Sequence, residues 1–201
     1  MSATFSGYDL QLRGRYSLAN RHDTLGNRRE FACRTSRVSP VKMMIDVPVT
    51  GAIGERVISH FGEFGKLDGW IAEAFKGGFL FELALPRAKR EALANKIVWL
   101  DREQRNMVVD AREVSRIIPK TPHSRLILPD GSVLDCLVID MSPSGAAVSA
   151  DTQPDIGTPL AVGCAVGRVV RHFTEGFAVK FMATQDRERL EELVIRASPD
   201  G

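Results

Sequence analysis

The chain has 201 residues, 44% hydrophobic and 26% charged, values at which a polypeptide folds around one or two ordinary cores. A formal net charge of +2 is too small to argue for nucleic acid or an anionic membrane as partner, and no apolar run approaches the length of a membrane span. Cys33, Cys136 and Cys164 are odd in number, widely spaced and outside any Cys-x-x-Cys, and the four histidines are scattered. This predicts buried free thiols in a reducing cytosol and no zinc site. The opening residues 1–7 lack the basic region and apolar core of a signal peptide, which again predicts a cytoplasmic protein without membrane insertion.

Residues 10–85 read as short β-rich runs at 12–18, 29–38, 43–47, 56–61, 67–75 and 78–85. Asn20, Gly26-Asn27, Pro48, Gly51, Gly65 and Gly77-Gly78 punctuate them, and many short strands at regular spacing predict a barrel. Pro86 opens a different texture. From Arg87 to Arg105 helix formers dominate, with Leu93, Ile97 and Leu100 on one face, so a helix closes the first domain. Val114 to Pro122 is expected to be extended and mobile, because prolines at 119 and 122 bias their predecessors away from the helix.

Strands are then predicted at 123–128 and 132–140, joined by the turn Pro129-Asp130-Gly131, and at 146–150, 160–173 and 177–182. Residues 185–197 read as a terminal helix with Leu190, Leu193, Val194 and Ala197 on one face. The chain also repeats itself. At a shift of 103 positions Cys33 falls on Cys136, Ser39-Pro40 on Ser142-Pro143 and Ile53-Gly54 on Ile156-Gly157; Gly78-Phe79 meets Gly176-Phe177 at a slightly smaller shift. One duplication at this length means two similar domains, with boundaries expected at 1–106 and 107–201.

The chemistry gathers between Arg112 and Gly145. Arg112 and Arg116 form an Arg-x-x-x-Arg, two planar, always-charged forks suited to phosphate oxygens, a guanine edge or a purine face. Asp140-Met141-Ser142-Pro143-Ser144-Gly145 supplies an acceptor-only carboxylate, hydroxyls, and a glycine expected to let backbone come close to a ligand or take a positive φ. Cationic forks plus a base-edge acceptor suggest an anionic guanine nucleotide. Ser144 reads first as a turn residue that can lend its hydroxyl. Arg168 and Arg171 lie on a strand from which they could reach the ligand but read first as exposed strand charge, His123 as a half-buried structural residue and Cys136 as core.

These residues resemble the PilZ domain, whose pattern is Arg-x-x-x-Arg, a gap, then Asp/Asn-x-Ser/Ala-x-x-Gly. Arg112, Arg116, Asp140, Ser142 and Gly145 fill all five positions, and the likeness continues through Gly167-Arg168-Val169-Val170-Arg171 and Gly176-Phe177-Ala178-Val179. The resemblance implies a mainly β fold, two small PilZ-like barrels in tandem, each followed by a helix. It also implies cyclic di-GMP as ligand, no catalytic cofactor, and a protein partner in motility, exopolysaccharide or virulence control, for instance flagellar or polysaccharide-synthesis machinery. The expected assembly is a monomer or weak dimer. Alanine at 111, just before the arginine pair, leans toward one messenger rather than an intercalated pair.

At the constant shift, Arg112 maps onto Asp9, Arg116 onto Arg13, Asp140 onto Arg37, Ser142 onto Ser39 and Gly145 onto Lys42. The first copy therefore resembles a degenerate PilZ domain that does not bind the messenger. Two other readings compete. In one, the protein is an adaptor with an idle nucleotide site. In the other, Ser142, Asp140 and a histidine form a hydrolase, but no nucleophile elbow supports it.

Overall fold

Turn residues cut the first half of the chain into β1 (Arg13–His22), β2 (Arg28–Val38), β3 (Lys42–Asp46), β4 (Arg56–Phe61), β5 (Gly65–Phe75) and β6 (Gly78–Leu83), followed by α1 (Arg87–Asn106). The computed structural model describes residues 5–106 and 116–195. The chain divides into two units, Met1–Ala111 and Arg112–Gly201. The domain boundary expected after residue 106 falls where the described residues stop.

In the first unit the strands close in the order β1-β2-β3-β6-β5-β4, every neighbour antiparallel. Alternation explains the closure: Tyr16, Phe31, Met43, Ile45, Phe61, Ile71, Phe79 and Phe81 all turn inward and are almost wholly buried. Each such side chain removed from water contributes roughly 1.5–3 kcal/mol. Tyr16 also donates its hydroxyl to the Val49 carbonyl, so its polar end is satisfied inside the core. Leu93, Ile97 and Leu100 of α1 join the same core, on the face expected from their spacing. Both tryptophans stay outside, Trp70 on β5 and Trp99 on α1.

The second unit repeats the plan with β7 (His123–Ile127), β8 (Val133–Ser142), β9 (Gly145–Ala150), β10 (Pro159–Val162), β11 (Ala165–Phe173) and β12 (Gly176–Phe181). These close in the order β7-β8-β9-β12-β11-β10, the same as in the first unit. The fold is mainly β, two closed six-stranded barrels in tandem. The short helix α2 (Leu190–Ile195) sends Leu190 and Val194 into the barrel core beside Phe177 and Leu126. It is fixed there by Ser124, which donates its hydroxyl to the Val194 carbonyl, and by the Cys164 N–H on the Leu193 carbonyl at 2.8 Å.

Four expectations need correction. The run 160–173 is two strands, because Gly163 turns with φ +59 and lets β10 and β11 pair as a hairpin. The terminal helix is shorter than residues 185–197: it spans Leu190–Ile195, and residues 196 and 197 lie outside the described residues. Cys33 and Cys136 are buried, but Cys164 sits in that hairpin turn and is exposed. The segment expected to be mobile is tied down over its described part. Ile117 and Met141 exchange two backbone hydrogen bonds, of 2.6 and 2.9 Å, and the Lys120 N–H donates to Glu191 of α2 at 2.6 Å.

Candidate functional site

The Asp-x-Ser-x-x-Gly motif lies at the β8–β9 hairpin, whose turn is Pro143-Ser144 and whose last pair is Ser142 with Gly145. The ladder is offset between Val138 and Asp140, a bulge that sets Asp140 opposite Ala147. Without it, the strict alternation of β8 would turn this carboxylate the other way. Ser142 and Ser144 approach through their hydroxyl oxygens at 3.2 Å. Of the two roles expected of Gly145, the positive φ does not hold. Instead, a Cβ built on it would lie 2.4 Å from the Val179 carbonyl oxygen, so glycine is needed because β9 and β12 pack closely here.

Arg116 reaches this corner. Its Nη1 donates to Asp140 Oδ1 at 2.9 Å, with the arginine side chain 55% exposed and the aspartate 15%. The double bridge between Ile117 and Met141 holds the backbone of Arg116 beside β8, on the strand that carries Asp140. The arginine end of this pair is open to water while the carboxylate is largely shielded, so a ligand that displaces Arg116 has to replace its hydrogen bond to Asp140. Arg112, the other motif arginine, lies outside the described residues.

A cleft of about 400 Å³ runs from this corner across the outer wall of the barrel. Arg116, Asp140, Ser142, Ser144 and Gly145 line it together, so the structure gathers every described residue of the expected site. Residues opposed across antiparallel strands share a face. Following the registers from Asp140 leads to Ala147 on β9, Ala178 on β12 and Arg171 on β11. A parallel row runs from Ser142 through Gly145 to Lys180. The floor is therefore glycine and alanine, and the far wall is Val170, Arg171 and Lys180. Of the two readings of Arg171, strand charge and ligand reach, its exposed place on β11 fits the first and its place in the cleft lining leaves the second open. Arg168 does not line the cleft, since its Nη1 donates to the Gly157 carbonyl at 3.0 Å. Lys180 carried no motif signal, and only the register reveals it.

The same face of the first barrel is built differently. The matching rows are Arg37–Met44–Leu80–Glu73 and Lys42–Glu82. Arg37 stands for Asp140, Glu73 for Arg171 and Glu82 for Lys180, while Met44, Leu80 and Lys42 replace the small floor. Lys42 Nζ lies 3.8 Å from Glu82, and Arg37 Nε donates to Asp9 at 3.0 Å, so these charges satisfy each other. The mapping of Arg116 onto Arg13 does not survive. Tyr8 bridges Val38 as Ile117 bridges Met141, which makes Gly7 the counterpart of Arg116. The constant shift fails because the β1–β2 hairpin is longer: Gly14 faces Cys33, nineteen residues on, whereas Ser124 faces Cys136, twelve on.

Burial pushes the Cys136 thiol up to about 12, and burial likewise raises that of Cys33, so both are inert structural groups. Among the described residues no group of His, Cys, Asp and Glu could hold a metal ion, and no helix is long and apolar enough to cross a membrane.

No curated protein matches the sequence. Among solved structures, the chain is similar to the Borreliella burgdorferi PlzA protein in complex with c-di-GMP, at 11% identity and a TM-score of 0.32, covering 92% of this chain and 86% of that one. It is similar to the Bacillus subtilis inhibitor of motility MotI/DgrA at 12% identity and 0.31, covering 94% and 95%. It is also similar to YcgR of Escherichia coli in complex with c-di-GMP at 11% identity and 0.28, covering 90% and 80%. Assignment rests on the sequence of the second unit rather than on these distant likenesses. Residues 102–196 match the family model described as PilZ domain, so this chain carries a PilZ domain, with a barrel of the same strand order in front of it.

Proposed function

We propose that the second barrel binds cyclic di-GMP in the cleft on its outer wall, and that the protein is a non-catalytic receptor. The observation that carries this reading is the convergence of Arg116, Asp140, Ser142, Ser144 and Gly145 on one cleft. A dianionic dinucleotide meets a guanidinium for its phosphates, a carboxylate acceptor for a guanine N–H edge, and a floor without bulk. The first barrel has its arginine and carboxylates at exchanged positions on the matching face, over a floor filled by Met44, Leu80 and Lys42, and is read as the non-binding partner of the pair.

The output follows from where the motif sits. Arg112 opens the second unit and Arg116 is four residues further on, so a ligand held by both acts on the junction between the two units. Binding would shift their arrangement by the difference in affinity for the alternatives, and a partner protein would read the result. Scattering profiles of free and ligand-saturated protein check this; identical size and shape would defeat the rearrangement.

A second reading, an adaptor with an idle site, draws on the Arg116–Asp140 ion pair, which already satisfies the two groups. Calorimetric titration with cyclic di-GMP separates the two. Micromolar or tighter binding, lost in Arg116→Ala and in Asp140→Ala, supports the receptor; no heat in the unaltered protein favours the adaptor.

A further inference from the structure

The cleft has a cationic group at both ends, and the sequence motif accounts for only one. Arg171 on β11 and Lys180 on β12 stand on the wall opposite Asp140. Three strand spacings separate the ends, about 14 Å between the backbones of Asp140 and Arg171. Neither cation is paired with a carboxylate among the described residues. A lone exposed cation is ordinarily a solvated surface charge. These two differ in two respects.

First, Arg171 owes its direction to a bulge. The ladder between β11 and β12 is offset between Val169 and Arg171, which sets Arg171 opposite Ala178 and on the cleft side together with Val170. Secondly, the far wall changes as a set with the rest of the face. In the first barrel the equivalent bulge between Ile71 and Glu73 is present, yet the residue it presents is Glu73, and Glu82 replaces Lys180. There the floor is filled by Met44 and Leu80 and the near corner is Arg37 instead of Asp140. Where the floor is open, the far wall is positive; where it is filled, the far wall is negative.

We propose that Arg171 and Lys180 contact the ligand, holding the half of a two-phosphate dinucleotide that Arg116, Asp140 and Ser142 leave free. This rests on the reading of the cleft as a cyclic di-GMP site. Arg171 offers a fork that can grip a phosphate or lie flat on the second base, with the exposed Val170 beside it as an apolar edge. Lys180 adds a point charge beside Gly145, where no side chain stands in the way. The ligand then lies across four strands rather than perching on the hairpin.

Titration of the full chain with cyclic di-GMP at low and moderate salt tests this. Arg171→Ala and Lys180→Ala should each weaken binding about tenfold, and the double variant about a hundredfold with a smaller loss on adding salt. Arg171→Lys should recover part of the loss, since charge remains but the fork does not. Arg168→Ala, opposite Lys180 across the ladder but with its guanidinium turned to the Gly157 carbonyl and outside the cleft lining, should stay within about twofold. Calorimetric melts of the free variants control for folding, and Arg171→Gln provides a second substitution that retains a polar side chain. Unchanged affinity in the double variant, with Asp140→Ala still abolishing binding, overturns the far-wall assignment and leaves the site reading intact. An equal loss in Arg168→Ala overturns it too, because general charge would then suffice. Failure of the unaltered protein to bind cyclic di-GMP overturns both.

Discussion

Replacing Gly145 by alanine is expected to destabilise the second barrel rather than merely obstruct a ligand. The added Cβ would lie 2.4 Å from the Val179 carbonyl oxygen and 3.4 Å from Cα of Lys180. Relief requires β9 and β12 to separate locally by about 1 Å, which strains the ladder between Gly145 and Lys180. Lys42 at the matching place of the first barrel shows that the fold accepts a side chain there when the strands are set for it. The cost is therefore that of overpacking, about 1–3 kcal/mol. For a unit of this size that lowers its melting temperature by roughly 5–20 °C. Calorimetry resolves the two units, and fluorescence supplies an internal control, because both tryptophans, Trp70 and Trp99, belong to the first unit. The first-unit transition should stay in place while the second moves down; Ser144→Ala, exposed at the turn, should move neither. If Gly145→Ala abolishes cyclic di-GMP binding while both transitions stay put, the packing argument is refuted and the glycine acts on the ligand directly.

Filling the floor should mimic the first barrel: Ala147→Met with Ala178→Leu is expected to lower affinity for cyclic di-GMP at least tenfold while the second transition shifts little, and unchanged titration heats would refute it. In thiol titration of the native protein one group of three, Cys164, should react fast, whereas Cys33 and Cys136 should wait for unfolding; two or more fast thiols would contradict the burial. The Arg56 guanidinium, whose Nε donates to Asp68 Oδ1 at 3.0 Å, holds the Asp68 carboxyl below its ordinary value. The folded barrel thus binds fewer protons than the unfolded chain between these two values. The resulting stability is present above about pH 4 and is lost as pH falls through the lowered value. Asp68→Asn should flatten that part of the acid limb of the tryptophan-monitored melt, and superimposable limbs would sink the argument.

Much of this architecture is local in origin and so was readable along the chain. Turn glycines and alternating apolar residues mark β2, β4 and β8 within a residue or two, and the spacing of Leu93, Ile97 and Leu100 marks the buried face of α1. The motif residues Asp140, Ser142 and Gly145 were legible because they sit on one hairpin, where sequence neighbours are spatial neighbours. What lay beyond reach depends on which residues face each other across strands. Hydrogen-bond register decides that, and one bulge reverses the face of everything after it. Arg171 and Lys180 join Asp140 through three ladders and two bulges, a relation that no spacing along the chain encodes. Gly7 replaces Arg13 as the counterpart of Arg116 for the same reason: hairpin length differs between copies, and pairing, not a constant shift, aligns them. The need for glycine at 145 likewise comes from a carbonyl on β12, thirty-four residues away in sequence and in contact only once the barrel has closed.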